Sequence, residues 1–127
     1  MVMKKHSITP KNTEFVLLCF EGPDRYSMAG GLGVRIDNLS VTLATMGFQT
    51  HLFFIGDPEF KGEEAQCKGK LILHRWCQWI SKFYPGGVYD GEDAKLHDFN
   101  ESIPWFVNEH IVKPAVEKGK LVVIIGE

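Results

Sequence analysis

Residues 15–56 read FVLLCFEGPDRYSMAGGLGVRIDNLSVTLATMGFQTHLFFIG, and three changes of pattern inside this stretch decide the fold. Phe15–Phe20 is a short, unbroken apolar run, the pattern of a strand covered on both faces. Gly22 and Pro23 break it and open a loop that reaches Met28. From Ala29 or Gly30 to about Met46 the period changes. Leu32, Ile36, Leu39, Leu43 and Met46 recur at three- and four-residue steps, which sets them along one face of a helix. Gly47 supplies the left-handed residue at which such a helix stops. His51–Ile55 is a second buried strand, ended by Gly56-Asp57-Pro58. A strand, a crossover helix and a strand make a parallel unit with a right-handed connection.

The rest of the chain extends the same alternation. Lys61–Lys70 is polar and contains glycine, so it reads as a surface loop. Leu71–Trp76 (LILHRW) is a third strand, running into a short helix at Cys77–Phe83. Tyr84–Gly91 (YPGGVYDG) is turn-rich. Glu92–Ile103 and Trp105–Lys118 read as two helical pieces, with Pro104 suited to the first turn of the second and Gly119 closing it. Leu121–Ile125 (LVVII) is a fourth doubly buried strand. The expected fold is therefore α/β and Rossmann-like, a mainly parallel sheet of about four strands with helices on both faces. It occupies residues 14–127 behind a flexible tail, residues 1–13. The sequence stops just after the fourth strand, where open parallel sheets place a ligand-facing loop. This leads us to expect an incomplete domain with an exposed sheet end, through which two copies pair as a homodimer.

Composition narrows the class. A chain of 127 residues with 44% apolar and 24% charged residues can build one real core. A net charge of −2 argues against gripping duplex nucleic acid through a basic face. No apolar run approaches the roughly 20 residues that span a bilayer. The opening MVMKKHSITPKNTE has no apolar stretch of secretory type. Cys19, Cys67 and Cys77 form no CxxC pair and leave one thiol over in any disulfide scheme, so free thiols in a reducing cytoplasm are expected. Histidine spacing builds no metal site, HExxH is absent, and no GxSxG marks a nucleophilic serine.

The chemistry gathers at Gly30-Gly31-Leu32-Gly33, which opens the first helix. Free backbone N–H groups and the helix dipole favour anions there, and glycines let a phosphate or sugar approach the backbone. The plain alternative is that the glycines form a tight turn and seat the helix close to the sheet. No Gly-Lys-Ser/Thr follows, so this is not a P-loop, and bulky Ile36 breaks the dinucleotide fingerprint. Arg75 and Trp76 fall at the carboxyl end of the third strand, with Trp79, Tyr84, Tyr89 and Asp90 close behind. Rings beside polar groups suit the faces of a sugar, although such tryptophans also simply roof a sheet. Asp24 and Arg25, just before the glycine loop, are further candidate contacts for a carbohydrate acceptor.

The stretch from Phe15 to Gly56, with Glu21-Gly22-Pro23, Gly30-Gly31-Leu32-Gly33 and the Gly47 turn into His51-Leu52-Phe53-Phe54, resembles the amino-terminal domain of glycogen and starch synthases. More broadly it is similar to the GT-B retaining glycosyltransferases. Those synthases carry Lys-Thr-Gly-Gly-Leu-Gly-Asp at this loop, where this chain has Met28 and Ala29 for Lys-Thr and Val34 for Asp. The resemblance implies an acceptor-side domain that offers its glycine loop to the cleft. A C-terminal domain, missing from this chain, would hold the donor, a nucleotide sugar such as ADP-glucose or UDP-glucose. It implies no further cofactor, and a chain inactive on its own. From another class, the alternative is a stand-alone nucleotide- or phosphate-binding module without catalysis.

Overall fold

The computed structural model describes residues 7–127, so the first six positions of the expected tail lie outside the described residues. Just after them the chain is already built into the fold. The Asn12 side chain accepts from the Thr9 N–H at 2.8 Å, and the Asn12 carbonyl accepts from the Leu121 N–H at 2.7 Å. Five strands follow: β1 (Thr13–Leu18), β2 (Gln49–Ile55), β3 (Glu63–Gln66), β4 (Leu71–Trp76) and β5 (Leu121–Gly126). They form one sheet in the order β3-β4-β2-β1-β5, parallel throughout except for β3, which runs antiparallel to β4.

The fifth strand corrects the expected count of four. β3 lies within the segment expected as a surface loop, and its residues, Glu63-Glu64-Ala65-Gln66, carry no apolar signal. They need none: β3 has β4 as its single neighbour and is almost wholly solvent-facing, so backbone pairing alone makes it a strand.

Helices cover both faces, as the two-sided apolar runs require. Helix α1 (Gly31–Thr45) packs on one face, where Ile36 and Ala44 meet Leu17, Leu52, Phe54, Leu71 and Leu73. Its end follows the expected pattern: Gly47 takes a positive φ of 98° and Phe48 N–H reaches back to the Leu43 carbonyl. On the other face Ile103, Val107 and Ile111 pack against Val16 and Phe53. After the short α2 (Gln78–Ser81) comes α3 (Glu92–Val107), then a π-helical turn at Asn108–Val112 and α4 (Lys113–Glu117).

Here the expected break at Pro104 is corrected. The proline sits inside α3 rather than opening a second helix. Its missing N–H orphans only the carbonyl of Asn100, and both residues face solvent, where water can replace the lost bond. The irregularity falls one turn later, where the Lys113 N–H bonds the Asn108 carbonyl with the wider π spacing.

Candidate functional site

Parallel strands bring their carboxyl ends to one rim of the sheet, and the strand order turns at β1, with β2 on one side and β5 on the other. Ligands of open α/β sheets bind outside such a rim. The chain leaving β1 forms a short helical turn at Arg25–Ser27 and enters α1 through Gly30, which is its N-cap. Ser27, fully buried, donates its hydroxyl to the carbonyl of Ile55 and so ties this loop to the end of β2.

The glycines divide into two roles. A Cβ at Gly33 would lie 2.9 Å from the Gly22 carbonyl oxygen and 3.0 Å from the Met28 side chain, so Gly33 is a close-packing residue. Gly30 and Gly31 are exposed and a Cβ at either would meet nothing within 4 Å. Leu32 is also partly exposed, at 39%. The bare surface of the loop is therefore Gly30-Gly31-Leu32.

The anion that this helix start attracts belongs to the protein. Glu21 Oε1 accepts from the backbone N–H groups of Ala29 (3.3 Å), Gly30 (3.1 Å) and Gly33 (3.1 Å), and Oε2 accepts from the Tyr89 hydroxyl at 2.6 Å. Burial by itself would push the Glu21 carboxyl up. The Tyr89 hydroxyl and the three backbone donors outweigh it and hold the group below the ordinary carboxylate range. The same bond to Glu21 pushes the Tyr89 phenol up to about 12, with burial adding to it.

Beside this arrangement lies an open cleft of about 440 Å³. One wall is the loop after β1 (Arg25, Tyr26, Met28, Ala29), the other is the segment Pro85–Asp90, and Asp57 from the end of β2 closes one side. Lys95 of α3 braces the two walls. Its ammonium is completely buried and donates to the Tyr26 hydroxyl (2.8 Å) and to the carbonyls of Gly87 (2.9 Å) and Val88 (3.1 Å). Tyr26 in turn donates to the Tyr84 carbonyl at 2.6 Å. Asp90 Oδ2 accepts from Gly86 N–H and Asp57 Oδ1 from Glu59 N–H, which leaves each carboxylate a second oxygen. Arg25 makes no ion pair among the described residues.

Known family models, curated proteins and solved structures give no match to this chain.

The residues named from sequence separate accordingly. Arg25 and Asp90 line the cleft, and Gly30 and Gly31 stand bare beside it. Asp24 and Arg75 are held by each other: Nε and Nη2 of Arg75 donate to the two carboxylate oxygens of Asp24 at 2.8 and 3.0 Å, with both side chains 4% exposed. A second carboxylate, Glu64 of β3, takes Nη1 at 2.9 Å. Trp76 spends its indole N–H on the Ser102 hydroxyl at 2.7 Å and sits edge-on to Phe53 and Phe106. Arg75 and Trp76 reach a separate hollow, shared with Gln78, Trp79 and Asp98.

Glu21 and Lys95, which organise the site, had no role assigned from sequence. Glu21 had a readable signal, an acid that follows a strand and precedes a glycine-rich helix start. Lys95 had one too. It stands four residues before Phe99 and eight before Ile103, so a lysine occupies a core position of the α3 stripe.

Proposed function

We propose that this chain is the acceptor-side domain of a nucleotide-sugar-dependent glycosyltransferase of GT-B type, similar to glycogen and starch synthases, and that its cleft receives a carbohydrate acceptor. The observation that carries the reading is the lining of the cleft at the carboxyl ends of β1 and β2. Arg25, with no ion pair among the described residues, Asp57 and Asp90, each with one carboxylate oxygen that no described residue bonds, and a tyrosine ring (Tyr89) surround it, beside bare Gly30-Gly31 backbone. Hydroxyl groups both donate and accept, so a polyol satisfies such a mixed set, and an aromatic face suits the apolar side of a sugar ring. On this reading the donor belongs to a second domain, and residues 1–127 alone do not turn over ADP- or UDP-glucose.

The test is a titration of the 15N-labelled chain with maltotriose. Amide shifts that saturate at Gly30, Gly31, Gly86, Gly87 and Asp90 are the expected result. Absence of any saturable shift there up to tens of millimolar sugar, or sugar transfer by the chain alone, overturns the proposal.

A further inference from the structure

Two tryptophans three residues apart are used differently. Trp76 roofs the sheet, with its indole N–H bonded to Ser102 and its ring edge-on to Phe53 and Phe106. Trp79 is 63% exposed, and its indole N–H has no hydrogen-bond partner among the described residues. Between them the chain turns at Cys77, whose φ of 58° is one that a non-glycine residue keeps only when its surroundings enforce it. The Cys77 thiol donates to Asp98 Oδ2 at 3.3 Å, which holds that half-buried carboxylate beside α2 and leaves Oδ1 without a described partner. Trp79 and Asp98 together line two hollows of about 400 and 500 Å³, within the size range of small-ligand sites. The first also takes Phe83, Tyr84 and His97; the second takes Trp76, Gln78 and Ser102. We propose that these hollows form a second carbohydrate site, separate from the cleft, in which the sugar rings of a glucan stack on Trp79 and Phe83 and hydrogen-bond to Asp98. The inference rests on the acceptor-side reading above for the choice of a glucan as the ligand.

The lining selects this occupant. Exposed rings that gather on one patch mark a binding surface, and Phe83 is bare as well, at 71%. An apolar protein face would cover the rings but would also dry the Asp98 carboxylate, and burying a charge without a partner is costly. A sugar answers both demands. One side of a pyranose is a row of weakly positive C–H groups, which suits the negative face of an indole. Its hydroxyls lie around the rim of the ring, where they donate to a carboxylate and accept from an indole N–H. Helix α2 sets the rings out for this contact. Ile80 and Ser81 are buried and anchor it, while Trp79 and, four residues on, Phe83 stand on its free side. The patch also borders the cleft. The Tyr84 side chain lines the first hollow, and the Tyr84 carbonyl accepts from the Tyr26 hydroxyl of the opposite cleft wall.

The decisive experiment titrates the 15N-labelled chain, its Trp79→Ala variant and its Trp79→Tyr variant with maltoheptaose. The readouts are the Trp79 indole N–H, identified by its loss in both variants, and the amides of Phe83, His97 and Asp98. Wild type should show saturable shifts at all four. Trp79→Ala removes a side chain that is mostly in solvent, so the fold should stand while affinity read at the three amides falls at least tenfold. Trp79→Tyr keeps a flat ring and should retain most of the affinity. A Trp79 signal that does not shift up to tens of millimolar sugar overturns the site, as does a Trp79→Ala variant that binds as tightly as wild type. A Trp79 shift that follows protein concentration with no sugar present also overturns it, and makes the patch a contact between copies. Silence at Gly30, Gly31, Gly86, Gly87 and Asp90 beside a saturating Trp79 overturns the acceptor reading of the cleft and leaves this site standing, so the two failures are told apart.

Discussion

At the scale of single residues, burial decides whether a charged group serves the fold or the surface. Asp24 and Arg75 were attractive candidates because they flank the rim of the sheet, yet their charges are matched to each other in a bidentate, dry contact. Removing one partner of a buried pair strands the other, at a cost of about 3–5 kcal/mol, whereas an exposed partner is worth about 1 kcal/mol or less. Asp24→Asn should therefore lower unfolding stability by several-fold more than Glu64→Gln, whose carboxylate is 37% exposed. Urea unfolding checks this, and equal losses would mean that the pair is not what organises this rim. The imidazoles of His51 and His74 give a pH-dependent counterpart. They lie 2.9 Å apart (Nδ1 to Nε2) across β2 and β4, with Glu14 and Glu63 at the two ends of the row. Burial first, and the neighbouring His51 second, press His74 from 6.5 to about 3; burial also lowers His51 against the pull of Glu14 and Glu63. A base depressed in the fold takes protons more readily when unfolded. Its contribution is therefore intact above pH 6.5 and drains away as pH falls toward 3. His74 alone should remove about 2 kcal/mol between pH 7.5 and 5. That loss should be absent in His74→Phe, and an equally steep fall in that variant would assign it to other groups.

Elements were legible where apolar residues ran unbroken or periodically and illegible where the backbone alone made them; Leu121–Ile125 is a strand as expected, but its expected two-sided burial is corrected, since β5 lies at the sheet edge with none of its residues buried. Leu71–Trp76 coincides with β4 because six consecutive residues there are needed on both faces of a central strand. β1 is displaced toward its start by two residues, since Cys19 and Phe20 continue the apolar run and still bond Phe53 and Ile55 of β2, but outside the regular ladder. β3 has no pattern at all, and Pro104 misled because an exposed proline can ride inside a helix whose neighbouring carbonyl faces water. The cleft wall Tyr84–Gly91 was readable as turns, but not its support, since that lies in a side chain reaching across from α3. Lys95 is the test of that support. Lys95→Met keeps the length and apolar stem while deleting three hydrogen bonds to Tyr26, Gly87 and Val88. Hydrogen exchange at residues 86–90 should quicken at least tenfold, with far smaller change in the amides of β1 and β2. Unchanged protection of the wall would show that turn geometry suffices to hold it.

For the molecule as a whole, the apolar runs foretold the parallel sheet and its two helical layers. The site was legible only in part: Glu21 and Lys95 each left a signal in the sequence, but the Tyr89 and Tyr26 hydroxyls that they bond lie 68 and 69 residues away. None of the described helices is long and apolar enough to cross a membrane. Both edges of the sheet, β3 and β5, stay open, and the β5 edge is the apolar one. Each inner strand of the sheet has two partners, but β5 pairs with β1 alone, so one row of its N–H and C=O groups faces outward. Leu121 and Ile124 are 43% and 51% exposed on it. Beside Ile124 runs an apolar hollow of about 390 Å³, bounded by Leu18, Ile103, Pro104, Val107 and Val112. No charge or proline interrupts Leu121–Gly126, the devices by which proteins usually protect a free edge. A second copy answers all of these features at once. In the dimer we expect, β5 would pair antiparallel with its copy about a two-fold axis, neutral edge against neutral edge, with each Ile124 brought toward the partner's hollow. The 127-residue chain is therefore expected to be dimeric in light scattering at tens of micromolar. Ile124→Lys, at a site already half exposed, should return it to a monomer while leaving the far-UV spectrum and unfolding midpoint nearly unchanged. A wild-type chain that stays monomeric over that range would mean that the twist of the edge and the outward side chains are protection enough.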